Sequence, residues 1–88
     1  MELERDVEQY LILRVGQLGG LCLKQGQEGW PDRIVILPDG KLIWVELKRR
    51  TGKLADLQQY RAYLLRQVGQ QVEVAWTKED VDSILGNE

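Results

Sequence analysis

The sequence predicts one α/β domain over residues 1–88, in the order helix, three strands, helix, strand, helix, with a mixed sheet flanked by helices. Three observations carry that prediction. Two stretches repeat apolar residues at three- and four-residue spacing, short β-rich runs lie between and after them, and Pro38-Asp39-Gly40 joins two of those runs as a hairpin turn. The composition, 43% apolar and 30% charged, is that of a folded globular chain. At 88 residues the core is small, so any functional site is expected on one sheet or subunit surface rather than between domains.

Leu3, Val7, Leu11, Val15 and Leu18 form one helical stripe across residues 2–18, and Gly19-Gly20 stops it. Leu21 to Lys24 is a short strand, followed by a glycine-containing loop from Gln25 to Trp30 that enters the core at Pro31. Arg33 to Leu37 and Lys41 to Lys48 are strands. In the turn between them Pro presets φ, Asp caps and Gly takes the left-handed position. The second helix runs from about Leu54 to Val68, with Leu57, Tyr60, Leu64 and Val68 expected on its buried side and Gly69 as its stop. Val72, Val74 and Trp76 alternate as a strand, and Thr77 with Asp80 resembles a capping box opening a last helix through Leu85.

Composition also excludes chemistry. With no histidine and one cysteine, Cys22, the chain has no Ser-His or Cys-His pair, no internal disulfide and no usual zinc ligand set. No apolar run approaches the roughly 20 residues of a bilayer span, and the acidic N-terminus is unlike a signal peptide, so a cytoplasmic protein is expected. The net charge is −2, but residues 41–66 carry seven bases against two acids. That clustering suits a phosphate-binding surface better than the total does.

Along the second hairpin strand, Glu46 and Lys48 project together while Ile43, Val45 and Leu47 face the other way. The three-residue turn pairs Leu37 with Lys41, which carries Asp32 opposite Glu46. Two facing carboxylates beside a lysine, with no histidine, call for a hard oxygen-liganded cation, Mg²⁺ or Mn²⁺. Such a cation activates water for attack on a phosphodiester.

Pro31-Asp32, a thirteen-residue interval and Glu46-Leu47-Lys48 resemble the PD-(D/E)xK nuclease signature. With an acid in the first helix, Gly29-Trp30-Pro31-Asp32-Arg33, the hairpin and Gln58, nearly the whole chain is similar to the VRR-NUC (virus-type replication-repair nuclease) branch of that superfamily. The resemblance implies a restriction-endonuclease-like core and a Mg²⁺- or Mn²⁺-dependent DNA endonuclease. Its metal would be held by Asp32, Glu46, the Leu47 carbonyl and a first-helix glutamate, Glu8 or alternatively Glu4, with Lys48 at the attacking water and Gln58 reaching the same site. Lys24 would reach it from the short strand, and Arg33, Arg49, Arg50 and Lys53 join Lys24 as candidate DNA contacts. A structure-selective role in replication, recombination or repair follows from the same resemblance, often in a phage or prophage setting.

Each assignment has a plainer counterpart: a surface salt-bridge cluster for the Asp32, Glu46 and Lys48 set, first-turn helix electrostatics for Glu4 and Glu8, solvation for the basic residues. Trp44 shares a face with Glu46 and could line the site, whereas Trp76 is expected in the core. Two other functions compete. A catalytically silent nucleic-acid-binding module is weakened because every expected position holds a competent residue, and a sequence-specific restriction or transposition endonuclease by the small size. A homodimer acting on four-way (Holliday) junctions is expected, since it adds buried surface and offers two sites about a two-fold axis. Apolar residues on both hairpin faces, with Trp44 and Tyr63, are its expected contact surface.

Overall fold

The turn at Pro38-Asp39-Gly40 fixes the register of the sheet. In the computed structural model, which describes residues 2–49 and 51–86, Gly40 has φ +89° and the Asp39 carboxylate accepts the Lys41 N–H at 2.9 Å. Leu37 N–H donates to the Lys41 carbonyl at 2.9 Å. From there the ladder runs back through Ile36 opposite Leu42 to Arg33 opposite Val45. The register inferred from the turn therefore holds, and its next step sets Asp32 against Glu46.

The elements follow the expected order: α1 (Glu4–Gln17), β1 (Leu21–Lys24), β2 (Arg33–Ile36), β3 (Leu42–Leu47), α2 (Asp56–Gln67), β4 (Gln71–Ala75) and α3 (Lys78–Ile84). The sheet order is β1-β2-β3-β4. β1, β2 and β3 pair antiparallel, and β4 lies parallel to β3, as a helical crossover requires. The sheet is mixed and flanked by helices, as predicted.

One sheet face meets α1 and α3, where Val7, Leu11 and Val15 pack with Val35, Ile43, Val45, Leu47, Ala75, Val81 and Leu85. Each fully buried aliphatic there contributes roughly 1.5–3 kcal/mol. Partly buried Cys22 lines this core, and burial pushes its thiol pKa up, consistent with a small apolar filler. The α1 stripe is as expected except at its start, since the Leu3 side chain is exposed and the residue serves as the helix cap through its backbone, its N–H donating to the Asp6 carboxylate at 3.0 Å and its carbonyl accepting the Asp6 and Val7 N–H groups. Gly20 closes the helix against β2, because a Cβ there would lie 2.6 Å from the Ile36 carbonyl oxygen. α3 starts on the anticipated capping box: Thr77 Oγ1 accepts the Asp80 N–H at 3.0 Å and Asp80 accepts the Thr77 N–H at 3.1 Å.

The other face is covered only in part. α2 packs there through Ala62 and Leu65 onto Val72, with Trp30 and Trp44 beside them. This corrects the sequence reading of α2. Leu57, Tyr60 and Val68 are 51%, 57% and 74% exposed, and the inward side is instead Gln58, Ala62 and Leu65. A small alanine and a functional glutamine on that side let α2 approach the sheet where Glu46 lies. Trp76 differs as well: it is half-buried rather than core, and its indole N–H donates to the Gly52 carbonyl at 2.9 Å, tying down the β3–α2 connection. Among the described residues no helix is long and apolar enough to cross a membrane.

Candidate active site

Three elements converge at the C-terminal end of β3. β3 supplies Glu46 and Lys48 by its two-residue repeat, the entry to β2 supplies Asp32, and the first turn of α2 supplies Gln58. Glu46 is the one buried charged residue among those described, 4% exposed. Burial, then the neighbouring Asp32 carboxylate, push its pKa from 4.5 to about 7, and Lys48 only partly offsets them. A buried acid held in that condition is unfavourable for the fold alone and characteristic of a functional site.

The surrounding hydrogen bonds hold each group in one orientation. Asp32 Oδ2 accepts the Leu47 backbone N–H at 2.8 Å, so the carboxylate is fixed to the strand that bears Glu46. Gln58 is held at both ends of its amide: Oε1 accepts the Ala55 N–H at 3.0 Å, and Nε2 donates to Glu46 Oε2 at 2.7 Å. Its carbonyl thus caps α2 while its amine orients the buried acid. Lys48 Nζ lies 3.5 Å from the same Glu46 oxygen. A mostly apolar cleft lined by Gly29, Pro31, Leu54, Gln58 and Val74 leads to Glu46.

The remaining predicted residues lie elsewhere. Arg33 alternates away from Asp32 onto the α1 side of the sheet, where its Nε donates to Glu8 Oε2 at 2.8 Å and its Nη1 to the Cys22 carbonyl at 3.4 Å. Glu8 therefore meets Arg33, not the Asp32–Glu46 pair, and no three acidic or thiol side chains gather as a metal cluster among the described residues. An acid at the correct spacing in α1 has been drawn to a cation one strand position beyond the site. Lys24 pairs with Arg33 in the ladder and so shares its α1-facing side, away from Glu46. Arg49 and Lys53 are exposed on the connection after β3, consistent with phosphate contact, and Arg50 lies outside the described residues. Trp44 is not a lining residue, since its indole N–H donates to Gln70 Oε1 at 2.9 Å and its ring packs under α2. Arg61 was missed by the sequence reading. Its guanidinium donates to the Glu28 carbonyl and stacks 5.1 Å from the Trp30 ring centroid, beside the cleft. Nothing in its spacing marks it, because both of its partners lie in an irregular loop.

No family model matches the chain. It is 36% identical over 85 residues, covering 93% of this chain and 90% of the relative, to a protein named "Putative nuclease p44" from Acyrthosiphon pisum secondary endosymbiont phage 1. A solved structure described as a VRR_NUC domain superposes with a TM-score of 0.85 at 33% identity, covering 94% of each chain. The chain belongs to the VRR-NUC family. The superposition with the VRR-NUC domain spans 94% of this chain, so the architecture described above is that of the family.

Proposed function

We propose that this VRR-NUC chain is an endonuclease that hydrolyses DNA phosphodiesters with Mg²⁺ or Mn²⁺, and that Asp32, Glu46, the Leu47 carbonyl, Lys48 and Gln58 form its site. The observation that carries this reading is the buried Glu46, pressed against Asp32 within reach of both Lys48 and Gln58. Two mutually repelling carboxylates, one of them buried, are a hard-oxygen donor set that a divalent cation would neutralise, so the residues fit the metal. When bound, it would polarise a phosphate oxygen and supply activated water.

The chain's own groups have separate tasks. Asp32, fixed by the Leu47 N–H, and Glu46, oriented by Gln58, present oxygens from adjacent strands without reorganisation. Lys48, 3.5 Å from Glu46, would orient the attacking water and stabilise the negative charge that develops on phosphate. Arg49 and Lys53 offer backbone contacts beside the scissile bond, which fixes the substrate electrostatically without reading its sequence. Glu8 is assigned the orientation of Arg33.

The substrate proposed is branched DNA, with four-way junctions preferred, cut by a homodimer. Support for the dimer lies on the sheet face that α2 leaves open. Leu21, Ile36 and Leu42 align across three strands, with Leu23 and Ile34 paired beside them, giving an apolar patch at the β1 edge that ends at Trp44 under α2. Leu21 and Leu23 are 58% and 46% exposed. Leu57, Leu64 and Val68 recur at helical spacing on the α2 flank that carries Arg61, so the misread stripe of α2 adds to the same surface. Tyr63, by that spacing, points elsewhere. Replacing Leu23 with Glu is expected to give a monomer by light scattering at micromolar concentration while leaving the fold intact, because the site is already exposed. A persistent dimer would remove this surface from consideration.

The test of the whole reading is a panel of linear duplex, flap, single-stranded and four-way-junction DNA, incubated with Mg²⁺, Mn²⁺ or EDTA. Cleavage with either metal, none in EDTA and a preference for the junction are expected. Equal cutting of all substrates would keep the nuclease and discard the junction preference.

A further inference from the structure

The loop that delivers Asp32 is braced from within by Gln25 and from outside by α2. Between β1 and β2 the backbone leaves the sheet ladder, and Gln25 N–H donates to the Asp32 carbonyl at 2.9 Å. The Gln25 side-chain amide donates to the Pro31 carbonyl at 3.1 Å and the Gln27 carbonyl at 2.9 Å while accepting the Gln27 N–H, and the Trp30 N–H donates to the Gln27 carbonyl at 3.4 Å. The outer part of the loop meets α2 at Arg61. This side chain, one turn after Gln58, donates to the Glu28 carbonyl and lays its guanidinium over Trp30, whose ring in turn rests on Ala62, Leu65 and Val72. Gly29 makes room for it. At φ +85° the position favours glycine, and a Cβ there would lie 2.1 Å from Arg61 Nη1. Buried Pro31, with its restricted φ, then passes the placement of Trp30 directly to Asp32.

We propose that Arg61, closing on Trp30 and the Glu28 carbonyl across Gly29, is a positioning residue that sets the distance between the loop bearing Asp32 and the helix bearing Gln58. Arg61 does not touch the site. It fixes the two supports from which Asp32 and Gln58 reach toward Glu46, one on each side of the cleft. Planarity is required for this, since one guanidinium must stack on the indole and donate in its own plane, which a lysine ammonium cannot do at once. The inference rests on the metal-dependent reading above for its effect on activity, but the geometry of the clasp is independent of metal.

Two measurements on the full chain separate those levels. In EDTA, NMR hydrogen exchange reads the Leu47 amide, whose proton Asp32 accepts; Arg61→Ala is expected to speed its exchange about ten-fold, and Arg61→Lys to fall between that variant and wild type. With metal, electron paramagnetic resonance of free Mn²⁺ is expected to show about ten-fold weaker binding by Arg61→Ala. kcat should fall in parallel, KM for DNA should change less than about two-fold, and millimolar guanidinium should partly restore both losses. Unchanged Leu47 exchange would overturn the clasp, and so would a raised KM with unaltered Mn²⁺ binding, which would make Arg61 a DNA contact. If wild type neither binds Mn²⁺ nor cleaves, the proposed function fails, while the exchange arm still decides whether Arg61 positions Asp32.

Discussion

Replacing Lys48 with alanine is expected to lower cleavage by at least about 10²-fold while DNA affinity stays within a few-fold of wild type. The asymmetry comes from what the residue does. Its ammonium lies 3.5 Å from Glu46, where in the proposed mechanism charge would develop during phosphodiester hydrolysis, and loss of one such preorganised donor typically costs about 10²–10³ in rate. Binding, by contrast, is proposed to be spread over several exposed cations, of which Arg49 and Lys53 remain in the variant. Single-turnover cleavage and fluorescence anisotropy on the same junction, at the same ionic strength, measure the two effects. Near-normal turnover by Lys48→Ala would contradict the role assigned to it.

Replacing Glu46 with glutamine is expected to abolish cleavage and, without metal at pH 8, to stabilise the fold. Burial and Asp32 raise the Glu46 pKa from 4.5 to about 7, so between those values the folded chain holds a proton that the unfolded chain has lost. Stability from this group is complete below about pH 4.5, declines as pH rises, and is lost above about 7. At roughly 1.36 kcal/mol per pKa unit the loss is at most on the order of 3 kcal/mol. The neutral amide avoids it and can still accept from Gln58 Nε2. Thermal denaturation should therefore place Glu46→Gln several degrees above wild type at pH 8 in EDTA, with the gap closing toward pH 5. Mn²⁺ should raise the wild-type melting temperature more at pH 8 than at pH 6 and leave the variant unmoved. A variant less stable than wild type at pH 8 would show that Glu46 is already neutralised in some other way.

Most of the fold was legible because its signals are local. The Pro38-Asp39-Gly40 turn sets the β2–β3 register by its own backbone requirements, and from that register the Asp32–Glu46 juxtaposition follows by counting. Gln58 donates to Glu46, as the resemblance implied, but its helix is turned differently from the reading of the apolar stripe. Of the strongest apolar stripe of α2, Leu57, Tyr60 and Val68 face outward, and weaker-looking Ala62 and Leu65 face the sheet. A hydrophobic stripe reports a surface that avoids water, not which partner covers it. Glu8 and Lys24 were misplaced for a different reason: spacing along a helix or strand gives a side, but Arg33, adjacent to Asp32 and pointing the opposite way, captures Glu8 through an ion pair that spacing does not encode. Arg61 was invisible because its partners are a loop carbonyl and an indole face, and irregular backbone carries no period to read.

Asp32 and Glu46 are proposed as two halves of one divalent-metal site. A crystal of the wild-type chain soaked in Mn²⁺ and measured for anomalous scattering tests it most directly. The expected result is a manganese peak within about 2.0–2.4 Å of a carboxylate oxygen from each residue, with Lys48 beside it. A well-ordered peak bound elsewhere, with the Asp32–Glu46 pair unliganded, would contradict the account.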